Sequence, residues 1–180
     1  MKYKIIGENL QLVNIELKEN EKVYAETGKF VYKSANVNID AKIKGGFMAG
    51  LRRLFTGESF FVAEFKPIKG TGIVGFGPDL PGKIKPIKLK ENETFITEQD
   101  AFLCAEENIK IEIQKVKAGP AIFGGEGIIL QRLVGPGNVF VNVCGDIIEY
   151  DLKKDQTIEV FKGHIVGFEP SVNYDIEYIG

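Results

Sequence analysis

Residues 145–179 read GDIIEYDLKKDQTIEVFKGHIVGFEPSVNYDIEYI, and they match residues 82–116, GKIKPIKLKENETFITEQDAFLCAEENIKIEIQKV, without a gap. The offset between the two segments is constant at 63 (145 minus 82). A third segment, LKENEKVYAETGKFVYKSANVNIDAKI from Leu17, aligns with Leu89 onward at an offset of 72 (89 minus 17). The chain therefore contains three copies of one pattern, at residues 17–43, 89–115 and 152–178.

Each copy alternates apolar and polar residues with a period of two, which is typical of strands with one buried face. A polar turn containing Asn or Asp precedes this alternation, and those residues tolerate the backbone angles of a tight turn. Each copy also has two consecutive apolar residues, which predict a short strand that is covered on both sides. These pairs are Phe30-Val31, Phe102-Leu103 and Ile165-Val166.

The repeated strands predict an all-β protein, either a double-stranded β-helix or a β-sandwich with internal pseudo-repeats and one short helix. At 180 residues with 44% apolar side chains, the chain is long enough for one buried core. The unequal offsets argue against a solenoid, which needs a fixed period. We therefore predict a single β domain over residues 1–180.

The one predicted helix lies in GGFMAGLRRLFTGES, residues 45–59, where apolar residues recur at helical spacing from Phe47 to Phe55. These apolar residues exceed what one buried stripe needs, so part of the helix is a candidate surface for a partner or a membrane. Simple packing over the end of the β core is the alternative. The candidate partner residues are Phe47, Leu51, Arg52, Arg53 and Leu54.

No residue pattern predicts catalytic, cofactor-binding or metal-binding residues. The only histidine, His164, falls at a variable turn position of the repeat, whereas a cupin metal site needs two or three histidines and a carboxylate. The glycine-rich FGGEG at residues 123–127 lacks the Lys-Ser or Lys-Thr of a phosphate-binding loop. Cys104 and Cys144 have no metal-ligand spacing, and we expect both to be buried, reduced thiols.

Several short motifs occur in an order that spans nearly the whole chain. They are Ala25-Glu26-Thr27-Gly28, Val31-Tyr32, Gly45-Gly46, Leu51-Arg52-Arg53, Gly57-Glu58-Ser59, Pro81-Gly82, Phe123-Gly124-Gly125-Glu126-Gly127 and Gly135-Pro136-Gly137. Through them the sequence resembles the altered inheritance of mitochondria 24 family, whose members are largely uncharacterised. The resemblance implies a double-stranded β-helix similar to the fold of the tryptophan RNA-binding attenuation protein, and it implies no catalytic residues.

A second candidate surface is a row of four lysines around apolar residues of one predicted strand. Such a row could contact phosphate, as the resemblance to an RNA-binding fold suggests. The alternative is an edge strand whose lysines discourage pairing with other chains. The row consists of Lys83, Lys85, Lys88 and Lys90.

Composition limits the partners that the protein could have. The 23 basic and 25 acidic residues are interleaved and give a net charge of −2, which argues against selection for binding nucleic acid. No stretch resembles a secretory signal or is long enough to span a membrane, so we expect a cytoplasmic protein that is not an integral membrane protein. Peripheral membrane contact through the predicted helix stays open.

We therefore expect a non-catalytic β scaffold or binding protein that acts as a homo-oligomer. An incompletely closed β-helix leaves strand edges that must be paired, and other copies of the chain can pair with them. A trimer is the first expectation and a dimer the second. The alternative function is a small-ligand or nucleic-acid binding module that uses the β-helix mouth or the lysine row, and an unrecognised hydrolase is the third hypothesis.

Overall fold

A computed structural model describes residues 1–40, 62–116 and 128–177 of the protein. These residues form β-strands and short 3-10 turns, so the prediction of an all-β protein is confirmed. The predicted helix from Phe47 to Phe55 lies outside the described residues. The strands are β1 (Lys2–Ile6), β2 (Leu12–Leu17), β3 (Val23–Glu26), β4 (Phe30–Lys33), β5 (Val37–Asp40), β6 (Val62–Pro67), β7 (Gly72–Phe76), β8 (Gly82–Leu89), β9 (Thr94–Glu98), β10 (Phe102–Glu106), β11 (Lys110–Val116), β12 (Ile128–Val134), β13 (Gly137–Cys144) and β14 (Gly167–Phe168).

The three sequence copies share the same two turns. Each starts with a turn in which the fourth residue's N–H donates to the first residue's carbonyl and its side chain accepts from the first residue's N–H. In the second and third copies this turn holds Asn92 and Asp155 at φ 63° and 65°, as expected for Asn and Asp in tight turns. Each copy then contains a 3-10 turn at the same position, namely Thr27–Lys29, Gln99–Ala101 and Lys162–His164.

In the structure, the first two copies belong to larger units of six strands, β2–β7 and β8–β13. The last two strands of each unit, β6–β7 and β12–β13, lie in different sheets and each pairs with strands formed earlier in the unit. We call this strand–turn–strand segment the closing arch. It supplies backbone partners to all four of the other strands in its unit.

The strands form three antiparallel sheets. Sheet A has the order β1-β2-β7-β4, sheet B the order β5-β6-β3-β10-β13-β8, and sheet C the order β11-β12-β9-β14. Sheet B joins half of the first unit to half of the second through pairing of β3 with β10. The same contact recurs in sheet C between β9 and β14, which joins the second unit to the third sequence copy. Positions related by the repeat offsets of 72 and 63 meet where Gly82 forms backbone bridges with both Leu10 and Gly145.

Two hydrophobic cores fill the spaces between these sheets. The first contains Phe65 and Phe76 from one closing arch, whose rings meet edge to face with centroids 4.9 Å apart. The second contains Leu133 from the other arch. The consecutive residues Phe102 and Leu103 of β10 are both fully buried and belong to different cores, so the predicted two-sided cover is confirmed for the second copy.

The third copy differs from its prediction. It keeps the turn and the 3-10 turn, yet between Asp146 and Glu177 the only strand is Gly167–Phe168. The strands of the first two units pair with their closing arches, whereas no strand among the described residues takes the place of an arch beside residues 145–177. We call residues 145–177 the third unit.

The first prediction compares two residues at the same position of the aligned copies, which we call a column of the repeat. Ile15→Ala should lower the free energy of unfolding by about 2–5 kcal/mol, because Ile15 is 0% exposed in the first core. Tyr150→Ala, in the same column of the third unit, should change it by less than about 0.5 kcal/mol, because Tyr150 is 63% exposed. Urea denaturation measures both, and equal losses would show that the third unit is packed like the first.

Candidate functional site

The main candidate site is an exposed apolar surface on the third unit, which we call the open face. It consists of Ile148, Tyr150, Ile158 and Val160, whose side chains are 75%, 63%, 39% and 44% exposed. The same columns of the first unit are occupied by core residues that are all 0% exposed, namely Val13, Ile15, Val23 and Ala25. The open face therefore has the pattern of a core without the layer that covers it elsewhere. Several large exposed apolar side chains in one unit are typical of an interaction site.

Strand β4 provides a second exposed element. It is the last strand of sheet A, so one of its edges has no strand beside it among the described residues. Val31 on β4 is 55% exposed, whereas its counterpart Leu103 is fully buried and its counterpart Val166 packs against the second core. The predicted cover on both sides is therefore wrong for the first copy.

The lysine row does not form a continuous basic surface. Lys83 lies 3.8 Å from Asp146 and donates to the Glu8 carbonyl at 2.6 Å, while Lys85 forms an ion pair with Glu149. Both acids come from the segment after Gly145, which starts with a backbone bridge to Gly82. Sequence reasoning missed these partners because they lie about sixty residues away in the chain.

The other half of the lysine row is exposed. Lys88 is exposed on β8, and the ammonium of Lys90 lies 3.5 Å from the Glu93 carboxylate in the following turn. Phosphate binding by the row stays a prediction, and three of the four lysines already have acidic partners.

The candidate partner surface predicted on the helix, formed by Phe47, Leu51, Arg52, Arg53 and Leu54, falls in a part of the chain that the structure does not describe. His164 is exposed in the third 3-10 turn, as predicted, with its ring 5.9 Å from that of Phe161. Across residues 1–40, 62–116 and 128–177 no three His, Cys, Asp or Glu side chains are grouped so as to hold a metal ion. In the same ranges no helix is long and apolar enough to cross a membrane.

A shallow pocket lies beside the N-terminus, between Met1, Lys2, Glu16, Lys18 and Glu21. Its volume is about 260 Å³, below the range of about 300–1,000 Å³ that is usual for small-ligand sites. The terminal ammonium lies 3.3 Å from a Glu21 carboxylate oxygen. The small volume therefore does not favour a small-ligand site.

Two carboxyl groups beside the 3-10 turns have perturbed acidity. Burial raises the pKa of Glu26, and Asp100 and Asp79 raise it further while Lys29 opposes them. Burial also raises the pKa of Glu98, the counterpart of Glu26, although its carboxylate accepts a hydrogen bond from the Asp100 N–H at 2.7 Å. These groups border the strand contacts between units, where burying charge costs stability.

The two cysteines differ in exposure. Cys104 is fully buried in the first core, as predicted, and burial raises the pKa of its thiol. The prediction for Cys144 is wrong, since it is exposed at the last position of β13 opposite Gly82. Strand alternation alone could not show that the sheet ends at this residue.

Comparison with known proteins identifies relatives without a characterised activity. The sequence model of the family described as Mitochondrial biogenesis AIM24 matches residues 3–180. An uncharacterised protein of Streptococcus pyogenes serotype M6 is 28% identical over 173 residues, which cover 92% of this chain and 68% of the relative. A crystal structure of a Streptococcus pyogenes protein, solved by structural genomics, superposes with a TM-score of 0.64 at 26% identity. That match covers 81% of this chain and 65% of the streptococcal chain, so this chain spans about two thirds of that protein's length.

The second prediction concerns thiol reactivity. A thiol reagent should label Cys144 rapidly and Cys104 only on unfolding, because the thiolate is the reactive form and Cys104 is buried. Cys144→Ser should abolish rapid labelling of the native protein. Rapid labelling of both thiols would contradict the packing of the first core.

The third prediction concerns pH. The folded-state pKa of Glu26 is raised, so the stability linked to its protonation is present at low pH and is lost as pH rises through the folded pKa. Glu26→Gln should therefore raise the melting temperature at neutral pH, and the gain should shrink on acidification to about pH 4. Glu8→Gln, at an exposed position, is the control. A lower melting temperature for Glu26→Gln at neutral pH would contradict this assignment.

Proposed function

The chain belongs to the mitochondrial biogenesis AIM24 family, and from this membership and the exposed third unit we propose that the protein is a non-catalytic, cytoplasmic β scaffold that assembles with copies of itself. The observation that carries the proposal is a strand contact that is used twice inside the chain, while one edge of β4 and residues 157–161 lack such a partner among the described residues. The strands that pair in this contact, and their register, indicate which surfaces of two copies should meet.

The contact joins the strand after the polar turn of one unit to the strand after the 3-10 turn of the next unit. Between the first and second units, Ala25 lies opposite Cys104. Between the second and third units, Thr97 lies opposite Gly167. Both pairs occupy the same columns of the repeat, so the register is identical.

If the same contact forms between two copies, residues 157–161 of the third unit pair with the free edge of β4 in the other copy. In this register Val160 lies opposite Tyr32, and Glu159 lies opposite Lys33. Opposite charges at directly facing positions stabilise an antiparallel pair. The exposed side chains of Val31 and Val160 would also be covered by such an assembly.

This contact uses different surfaces on the two copies, so it closes only as a ring. We propose a trimeric ring, with a dimer as the alternative. Within the first unit, strands alternate between two facing sheets, with β2 and β4 in sheet A and β3 and β5 in sheet B. This alternation supports a variant of the double-stranded β-helix and a likeness to the fold of the tryptophan RNA-binding attenuation protein, which we retain as part of the proposal.

The fourth prediction tests self-association by charge exchange. Lys33→Glu and Glu159→Lys should each weaken the association by about 1 kcal/mol, because each places like charges opposite one another. The double variant should recover the association of the unmodified chain. Light scattering coupled to gel filtration measures the mass, and Asp151→Lys controls for the change in net charge.

A disulfide between Tyr32→Cys and Val160→Cys, in a Cys144→Ser background, tests the same contact directly. We expect it to link different chains. A mass of 20.0 kDa at every concentration, or a disulfide formed within one chain, would overturn the proposal of self-assembly.

A further inference from the structure

The third unit has every strand-forming segment of the repeat except the closing arch. In the first unit, β6 lies between β3 and β5, and β7 lies between β2 and β4. In the second unit, β12 and β13 occupy the same two places. The third unit has the four corresponding segments, at residues 145–152, 157–161, 165–169 and 172–177, and no described strand pairs with them in the two places of an arch.

We propose that the third unit is an acceptor site for a closing arch supplied from outside residues 1–180. The occupant is a peptide segment of two β-strands with alternating apolar residues, whose first strand carries a basic residue. This site goes beyond the proposed self-assembly, because β4 of another copy would use one edge of residues 157–161 and the arch would use the opposite edge. Strand β3 already has this arrangement, with β10 on one side and β6 on the other.

The first recognition element is a side-chain acceptor for a backbone N–H of the arch. In the first unit, Ser34 Oγ accepts from the Ile73 N–H at 2.9 Å. In the second unit, Glu106 Oε2 accepts from the Asn138 N–H, at the matching position of the arch, at 2.8 Å. The third unit has Glu169 in this column. It therefore keeps the acceptor that fixes the start of the second arch strand.

The second recognition element is charge. In the first unit, Lys22 lies 3.4 Å from Glu64 of the arch. In the second unit the basic residue is on the arch and the acid is on a flanking strand. The Arg132 guanidinium of the arch lies 3.5 Å from Glu112 and 3.4 Å from the Thr94 hydroxyl.

The third unit resembles the second at both positions that contact Arg132. Thr157 corresponds to Thr94, and Asp175 corresponds to Glu112. An arch that fits it should carry Arg or Lys at the Arg132 position. This is the basis for the basic residue in the proposed occupant.

The two arches within the chain are not available for this role. Each is already paired with strands of its own unit, and its apolar side chains form the two cores. The streptococcal structure has about a third of its length outside the match, which is enough chain for a further two-strand segment in that relative. The exposed open face is the surface that an arch would cover.

A synthetic peptide provides the test, because the arch of residues 128–144 carries both recognition features. The peptide, with Cys144→Ser to prevent oxidation, is titrated into the full chain and followed by fluorescence anisotropy. We expect saturable binding of one peptide per chain. The peptide with Arg132→Glu should bind about tenfold more weakly, because it places two acids together.

Charge exchange makes the test specific. Asp175→Lys should weaken binding of the unmodified peptide and restore binding of the Arg132→Glu peptide. Glu91→Lys is the matched control, since Glu91 is exposed in the turn before β9 and lies outside the third unit. Both substitutions are at exposed positions, and circular dichroism checks that the variants are folded.

The outcomes separate this inference from the proposed self-assembly. Saturable binding with rescue supports the acceptor site whether the chain is a monomer or an oligomer. Absence of binding overturns the acceptor site and leaves the oligomer mass as the test of self-assembly. Equal binding of both peptides would indicate unspecific adhesion to the open face, and it would also overturn the acceptor site.

Discussion

The rest of the structure depends on the backbone pairing between each closing arch and the four strands around it. Backbone N–H and carbonyl groups must be paired when they are buried, so a strand can bury its apolar face only where a neighbouring strand satisfies its backbone. The arches also place Phe65, Phe76 and Leu133 in the two cores. A unit therefore needs its arch both for hydrogen bonding and for packing. Where no arch is present, the same alternating sequence stays exposed.

The first two units contain a closing arch and the third unit does not, so the effect of the arch can be compared within one molecule. Val23 is 0% exposed and Ile158, in the same column, is 39% exposed, although both sequences alternate in the same way. The local turns before both residues are alike. Local sequence therefore sets the turns, and pairing with a distant segment sets whether a strand forms. This separation explains why the AIM24 repeat in this chain can be regular in sequence and unequal in structure.

Sequence reasoning succeeded where the physics is local. The all-β class, the repeated polar turns with Asn92 and Asp155, and the burial of Cys104 follow from side-chain chemistry and period-two alternation. It failed where the answer lies far away in the chain. Lys85 is matched by Glu149, and the strands expected in the third copy lack a partner segment. The sequence contained one signal of this difference. Residues 128–144 have a counterpart in the first unit and none in the third.

Hydrogen exchange measured by mass spectrometry tests the central claim most directly, because it reports strand pairing in all three units of the intact chain. We expect slow exchange for residues 37–40 and 110–116, which pair with closing arches, and fast exchange for residues 172–177, which occupy the same place in the third unit. Measurement at high dilution keeps other copies from contributing protection. Equal protection of all three segments would contradict the account, since it would show that the third unit is closed without an arch from outside residues 1–180.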